Sequence, residues 1–261
     1  MRGNKTAVWR NALGQKIVFD NRTFFLESID MTGTAGIHTV ESLAMTDGQV
    51  TLAHQLPAKT IPCSFAWKDV QDDRWMQEHL TQLFNPLVSG TLTVYTREES
   101  YQIDCYPQAF PVFQRDSGVL CVWRWDVEFV EDYPYWRKGT QRTVAVADLP
   151  LDNGSRVLVS RCPFEIAPDV YLPDSGELWL AINGKGLSVS THEVPIVIKT
   201  GTLEVVTADG GQDCSYLIDA QYDIDRLRIV YGENRITCGL RSGGTLNGVL
   251  LSYYNLSMGE V

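Results

Sequence analysis

The sequence contains few of the residue patterns from which enzymes build their sites. It has four histidines among 261 residues, and none belongs to a His-Glu-x-x-His or similar metal-binding spacing. A Gly-x-Ser-x-Gly elbow, a phosphate-binding loop and a Gly-x-Gly-x-x-Gly motif are also absent. Gly184-Lys185-Gly186 has no helix pattern after it and is interpreted as a hairpin turn. These absences argue against the common enzyme classes, and we expect no catalytic residues, no metal and no cofactor.

Positive charge is scarce. Lysine and arginine total 22 residues, against 32 aspartates and glutamates, so the formal net charge is -10. A general nucleic-acid binder needs a basic face that displaces counterions from phosphates, which this composition does not favour. Arg137, Lys138 and Arg142 lie close together, but three charges in a connecting segment are interpreted as solvated.

Long apolar runs are missing as well. No run approaches the ~20 residues needed to span a bilayer, so we expect no membrane partner. The segment Met1–Gly14 carries two arginines and a lysine without an apolar block after them, which does not fit a secretory signal. The sequence therefore predicts a protein that is made and folded in a cytoplasm.

The six cysteines show no Cys-x-x-Cys spacing, which argues against zinc ribbons and thioredoxin-like sites. Most lie in apolar, strand-like runs, so buried free thiols are favoured over disulfides. Carboxylates cluster at Asp219, Asp223 and Asp225 and at Glu98-Glu99. Two suitably spaced carboxylates suffice for a glycosidase, and Asp223 and Asp225 could bind a hard cation. In an acidic chain without the rest of a calcium loop, solvated turns are the favoured interpretation.

The first half of the chain reads as strands with one helix. Lys16–Phe19 and Thr23–Met31 are apolar-rich, and Asp47-Gly48 is a strong hairpin signal. Apolar residues alternate from Ile61 to Trp67, which predicts a half-buried strand, and Pro62 would place that strand at an edge or a bulge.

One helix is predicted between residues 72 and 85, because apolar side chains recur there at helical spacing. An aspartate can cap its start, and Pro86 would stop it. Val119–Phe129 then predicts a strand about twice the usual length. Residues 131–153 read as a connection that contains a domain boundary between 138 and 148.

The second half reads as strands alone. Short apolar runs alternate with glycine turns, among them a type I′ candidate at Asn183-Gly184. Strands are predicted at Ser215–Ile218 and Leu227–Tyr231, followed by a turn at Gly232-Glu233-Asn234. This spacing predicts a β-sandwich.

The predicted helix ends in Leu83-Phe84-Asn85-Pro86, and Gly90-Thr91-Leu92 follows it. This order resembles the leucine–asparagine–proline and glycine–x–leucine signal of the distal tail (Dit) proteins of long-tailed phages, and the resemblance covers residues 16–137. The long strand then runs into a segment similar to the family's aspartate–proline–tyrosine–tryptophan ending, with Tyr133 inserted. The family-motif residues are Asn85, Pro86, Gly90, Asp132, Pro134, Tyr135 and Trp136.

The resemblance implies a mainly β fold in two domains. Residues 1–140 would form a ring-forming belt domain, β-barrel-like, with one α-helix and a long β-ribbon. Residues 141–261 resemble, more loosely, the galectin-like β-sandwich of the same family. The sugar-binding residue set of true galectins cannot be located here, so the resemblance does not carry sugar binding.

The family's role implies a virion protein of the tail tip or baseplate that is assembled in the host bacterial cytoplasm. Six copies would form a ring, or stacked rings, between the tail tube protein and a hub that often carries a lytic domain. The outer domains would support receptor-binding proteins, and DNA would pass through the channel without specific binding. Trp123, Trp125 and Phe129 on the long strand are candidate interface residues.

Two other classes remain open. A carbohydrate-binding module would use exposed aromatic residues, for which Trp179 and the adjacent Tyr253 and Tyr254 are candidates. A small hydrolase would need a converging acid/base pair in a pocket. We expect a stable oligomer without ligand if the ring interpretation is right, and an acidic channel wall that repels passing DNA.

Overall fold

A computed structural model describes residues 5–32, 37–42, 49–55, 57–68, 73–115, 122–131, 133, 135–147, 153–219, 223–241 and 248–257. Of residues 37–42, 49–55, 147 and 153–154 it describes the backbone alone. The chain packs into two compact units, Met1–Lys138 with Ser257–Val261, and Gly139–Leu256. The proposed division into a ring-forming domain and a galectin-like domain stays a prediction.

The first unit is built from strands and one helix. Their bounds are β1 Thr6–Asn11, β2 Lys16–Phe19, β3 Phe24–Ile29, β4 Ile37–Ser42, β5 Gln49–Gln55, β6 Lys59–Lys68, α1 Asp73–Leu83, β7 Gly90–Tyr95, β8 Ser100–Pro107, β9 Val112–Arg115 and β10 Val122–Glu131, followed by the start of β11 Trp136–Ala147.

Antiparallel pairing arranges most of these strands in two runs, β2–β1–β7–β8 and β9–β10–β6–β3. The end of β10 joins them, because Phe129 and Val130 pair with Pro107 and Tyr106 of β8. A core rich in aromatic rings packs with α1 and includes Trp9, Phe65 and Phe84. The predicted mainly β fold with one helix is confirmed.

Strand β6 shows the predicted alternation, with Ile61, Cys63 and Phe65 buried. Strand β6 is not at an edge, because it lies between β10 and β3. The predicted alternative, a bulge, is present in its pairing with β3, where the register shifts between Leu26 and Ser28 opposite Phe65 and Ser64, whereas its pairing with β10 shows no shift. The Pro62 carbonyl accepts a hydrogen bond from the Asp30 amide at 3.1 Å. The Pro62 nitrogen faces the same side of β6 as this carbonyl, at a point just beyond the end of β3. The N–H that proline lacks therefore removes no hydrogen bond between β6 and β3.

The predicted helix is confirmed as α1. Met76, Leu80 and Leu83 recur every three or four residues and are buried together. Strands β4 and β5 pair antiparallel with each other as a two-stranded sheet. The predicted Asp47-Gly48 turn between them lies outside the described residues.

The prediction of a connection over residues 131–153 is wrong where β11 runs. The sequence does not predict this strand, because residues 139–143 are mostly polar and show no apolar alternation. Its start pairs with β8, where Arg137 and Lys138 stand opposite Gln102 and Tyr101. The two basic side chains form ion pairs of 2.6 Å with Asp104 and 2.7 Å with Glu99 instead of being merely solvated.

The second unit consists of strands and two short 3-10 helices. The strand bounds after β11 are β12 Asn153–Ser160, β13 Asp169–Leu172, β14 Leu178–Ile182, β15 Lys185–Val189, β16 Ile196–Lys199, β17 Glu204–Thr207, β18 Gly232–Leu240 and β19 Val249–Ser257. One sheet has the order β17–β16–β13–β19–β11, and the other β12–β18–β14–β15.

The two sheets enclose a common apolar core, to which β13 and β16 contribute Val170 and Ile198 and the facing sheet contributes Leu180 and Ile236. This arrangement is the predicted β-sandwich; its galectin-like character stays a prediction. The Asn183-Gly184 turn has positive φ angles of 54° and 77°, as a type I′ turn between β14 and β15 requires.

Three local predictions in this unit are wrong. Ser215–Leu217 is a 3-10 helix, because Asp213 accepts hydrogen bonds from the amide and the hydroxyl of Ser215 and starts a turn. The segment 227–231 follows a second 3-10 helix and makes only an isolated bridge, Ile229 to Ile166. The predicted turn at Gly232 begins strand β18 instead.

Candidate functional surfaces

The motif after α1 forms a compact turn. The Asn85 side chain accepts a hydrogen bond from the Leu87 amide at 2.9 Å, and its carbonyl accepts one from the Val88 amide at 3.0 Å. Pro86 lies inside this turn, where its fixed φ ends the helix. Asn85 and Pro86 therefore direct the chain from α1 into β7.

Gly90 at the start of β7 is required by a close backbone approach. A Cβ atom there would lie 2.3 Å from the Arg10 carbonyl oxygen and 2.6 Å from the Trp9 ring. Both distances are far inside van der Waals contact, so no other residue fits without moving β1. The motif glycine thus lets β1 and β7 pair beside a large side chain.

Trp9 holds this junction together, although no sequence pattern singled it out. Its indole N–H donates to the Leu83 carbonyl at 3.1 Å, and its ring lies 4.8 Å from the Phe129 ring. It therefore links the end of α1, the Gly90 approach and strand β10. A lone tryptophan near the start of a chain carries no local signal of such a role.

The second motif segment is partly described. Trp136 is fully buried in the core of the first unit. The Tyr135 ring stands edge-on to the Tyr133 ring at 5.0 Å, and the Tyr135 amide donates to the Tyr133 carbonyl at 2.8 Å. Asp132 and Pro134 lie outside the described residues.

Two opposite charges are buried beside Trp136. Lys59 and Glu131 stand directly opposite each other on β6 and β10 and are 3% and 1% exposed. The Lys59 ammonium lies 5.7 Å from the centre of the Trp136 ring. Burial lowers the pKa of Lys59, and the charges of Glu131 and Asp30 oppose that shift. The end of β10 is therefore fixed by a buried charge pair against an aromatic ring.

The candidate interface residues occupy different environments. Trp125 and Phe129 are 1% and 0% exposed and pack inside the first unit. This corrects the prediction that they face a neighbouring subunit, because alternation along β10 places them on the core side of the sheet. Trp123 is partly buried at the core edge and stacks on Trp67 at 5.7 Å. A subunit contact through Trp123 stays a prediction.

Helix α1 presents an aromatic pair on its outer side. The Trp75 and His79 rings are parallel within 2°, their centres lie 5.2 Å apart, and Trp75 is 56% exposed. His79 is half-buried, and Met76 and Leu80 form the buried side of the helix. An exposed tryptophan stacked on a neighbour is a pre-ordered contact for a partner protein.

An apolar stripe also lies on the second unit. Val157 and Val159 of β12 are exposed on one face, and exposed Tyr231 comes one residue before β18. Strand β12 is at the edge of its sheet and pairs with β18. An edge with apolar side chains is suited to protein contacts.

Local structure accounts for one buried histidine and for one of the clustered carboxylates. Both His192 ring nitrogens lie near backbone carbonyls, Nδ1 3.0 Å from Ser190 O and Nε2 2.8 Å from Pro173 O. Asp223 forms an ion pair with Arg226 at 3.1 Å. Within the described ranges, no group of three or more histidine, cysteine, aspartate or glutamate residues is arranged to hold a metal ion. In that same part of the chain, no helix is long and apolar enough to cross a membrane.

Comparison with solved structures places this fold among known ones. It is similar to the Dit protein of phage SPP1, described as a paradigm of the hub adsorption apparatus in phages that infect Gram-positive bacteria. Identity is 15%, the TM-score is 0.66, and the match covers 97% of this chain and 99% of that chain.

Chains of the phage P2 baseplate in its activated conformation are similar as well. With calcium, identity is 11%, the TM-score 0.58, and coverage 98% of this chain and 99% of that chain. In the structure with strontium, identity is 10%, the TM-score is 0.59, and the match covers 95% of this chain and 97% of that chain. No protein-family model and no curated protein matches the chain. The chain therefore has a Dit-like fold over nearly its whole length.

Proposed function

We propose that this protein is a structural component of a phage tail tip, of the Dit type, which acts by assembly without bond chemistry. One observation carries the proposal: the Dit-like fold extends over 97% of this chain and 99% of the SPP1 Dit chain, so both units are included. A fold alone does not fix a function. Exposed aromatic and apolar surfaces on both units add support from this chain's own residues.

The assembly that we propose is a ring of six copies, single or stacked. A closed ring covers surfaces that a lone subunit leaves in water. The β4–β5 ribbon supports this arrangement, because an isolated two-stranded ribbon is only marginally stable in water and gains from packing on a neighbour. Trp75, which is exposed and stacks on half-buried His79, is a candidate contact of the same kind.

The partners follow from the proposed place in the particle. One face of the ring would bind the tail tube protein, and the other the tail hub with its lytic domain. The edge strand β12, with exposed Val157 and Val159, is a candidate surface for a receptor-binding protein. The protein would be assembled in the host bacterial cytoplasm and would end at the tail tip of the virion.

DNA would pass through the ring without specific binding. The net charge of -10 supports this, since an acidic wall repels the phosphate backbone and prevents sticking. A ring structure with a neutral or basic channel wall would rule out this part of the proposal.

Immunogold electron microscopy tests the location in the particle. Antibodies raised against the purified chain are applied to virions of the phage that encodes it. The proposal predicts gold at the tip of the tail farthest from the head. Label along the whole tail or on the capsid, or unlabelled virions, would overturn it, and pre-immune serum is the control.

A further inference from the structure

A pocket of about 520 Å³ opens on the second unit, a volume within the usual range of small-ligand sites. Its walls come from the β14–β15 hairpin, the start of β18, and the segment around the second 3-10 helix. Six charged side chains line it: Glu165, Lys185, Asp225, Arg226, Arg228 and Glu233.

The backbone around the pocket is held rigidly. The side chain of Asn234, fully buried, accepts from the Val230 amide and donates to the carbonyls of Val230 and Gly232 at 2.8 and 3.1 Å. Asn183, which lines the pocket, donates to Asn234 at 2.9 Å and accepts from the Arg235 amide at 2.9 Å. The hairpin and the start of β18 are therefore fixed before any ligand arrives.

Two of the cations already have polar partners. The Arg228 guanidinium donates to the Thr200 carbonyl at 3.0 Å, and Arg226 forms its ion pair with Asp223. The side chains of Glu165, Lys185 and Glu233, by contrast, form no hydrogen bond or ion pair within the described ranges. The Lys185 ammonium and the carboxylates of Glu165 and Glu233 are thus available to hydrogen-bond a ligand in the pocket.

The charges restrict the class of ligand. Three cations and three carboxylates line the pocket, so its formal charge is zero. The carboxylates would repel a phosphate, and the cations would repel a metal ion. A hydroxyl group can donate to a carboxylate and accept from a cation, and Ile182 and Val230 offer apolar contact. We propose that this pocket binds a neutral sugar residue.

Saturation-transfer NMR on the full-length protein tests the pocket, with D-glucose, D-galactose and N-acetyl-D-glucosamine as probes and inorganic phosphate and Ca²⁺ as comparison ligands. We expect saturation transfer to at least one sugar. Lys185→Ala and Glu233→Gln should each weaken its binding about tenfold, as expected for the loss of a hydrogen bond to a charged group. Glu193→Gln, an exposed carboxylate outside the pocket, is the matched control and should leave binding unchanged.

Three results would overturn the proposal. They are the absence of transfer to all three sugars, sugar binding that survives unchanged in both pocket variants, and binding of phosphate or Ca²⁺ in place of sugar. Lys185 and Glu233 are exposed, so both variants should fold, and thermal unfolding checks this. The oligomer mass is measured separately, so failure here is distinguishable from failure of the ring proposal.

Discussion

At the residue scale, the first unit buries two opposite charges, those of Lys59 and Glu131. Burying one charge is costly unless an opposite charge or hydrogen bonds compensate it. The two residues are 72 positions apart in sequence and meet only because β6 and β10 pair in one register. The pair thus depends on that register and stabilises it in turn.

Replacing Glu131 with glutamine should lower the free energy of unfolding by about 3 kcal/mol, because the buried Lys59 ammonium then loses the carboxylate directly opposite it. Urea denaturation of the purified variant measures this value. Glu128→Gln on the same strand, where the side chain is exposed, is the matched control and should change the value by less than about 0.5 kcal/mol. Equal losses in the two variants would contradict a specific role for the buried carboxylate.

The cysteines should be unreactive in the native protein. Burial raises the pKa of the Cys63 and Cys105 thiols above the ordinary range, so little of the reactive thiolate exists at pH 8. Mass spectrometry after maleimide treatment should find both unmodified in the native state and modified in urea. Equal labelling of Cys63 in both states would show that the core opens readily.

Individual residues were predictable where a local pattern reports burial. The prediction of buried free thiols is confirmed for Cys63, Cys105, Cys162, Cys214 and Cys238, while Cys121 lies outside the described residues. Trp9 and the Lys59–Glu131 pair were not predictable, since their partners are distant in sequence. Charged residues are normally exposed, so the residue types alone predict that Lys59 and Glu131 lie at the surface, whereas both are buried.

At the element scale, the junction of β1 and β7 should be intolerant of any side chain at Gly90. Gly90→Ala puts a Cβ against the Arg10 carbonyl and the Trp9 ring, and it should cost at least about 2 kcal/mol because the strands must separate. Thermal unfolding measures the loss.

Gly201→Ala is the matched control for Gly90→Ala. A Cβ there meets only the Ala167 methyl at 3.5 Å, an ordinary contact, and its φ lies outside the left-handed region. We expect a change within about 1 kcal/mol, with stabilisation favoured because alanine restricts the unfolded chain. If both variants unfold at the same temperature, the close approach at Gly90 is not a constraint.

Elements with one apolar face were predictable, and elements held by backbone pairing or local turns were not. Helix α1 and strands β6 and β14 follow their periodic patterns. Strand β11 was not predictable, because ion pairs and backbone hydrogen bonds hold a polar segment in extended form. The 3-10 helix at Ser215 was not predictable either, because hydrogen bonds to one aspartate side chain outweigh the strand preference of an apolar run.

At the scale of the whole molecule, the ordered series of motifs predicted a Dit-like, mainly β fold, which the comparisons confirm. No single motif would have sufficed, because helix-stop chemistry and tight-turn glycines occur in many proteins. How copies pack together depends on surfaces that carry no periodic signal, so the ring remains a proposal.

Trp75→Ala should weaken assembly without unfolding the subunit. A half-exposed tryptophan at an interface typically contributes about 2 kcal/mol or more, which is roughly a thirtyfold loss of association. Gel filtration over a dilution series should show dissociation at higher concentration than in the unmodified protein. Arg74→Ala, one residue away and exposed, is the control, and identical dilution curves for the two variants would remove Trp75 from the interface.

The ring itself is tested most directly by light scattering on the gel-filtration peak, with negative-stain images of the same fraction. Six copies of a 29.3-kDa chain give six times that mass, about 176 kDa, or twice this value for two stacked rings. The account predicts one of these masses and particles with six-fold symmetry. A mass of one chain at every concentration tested, with no rings in the images, would contradict it.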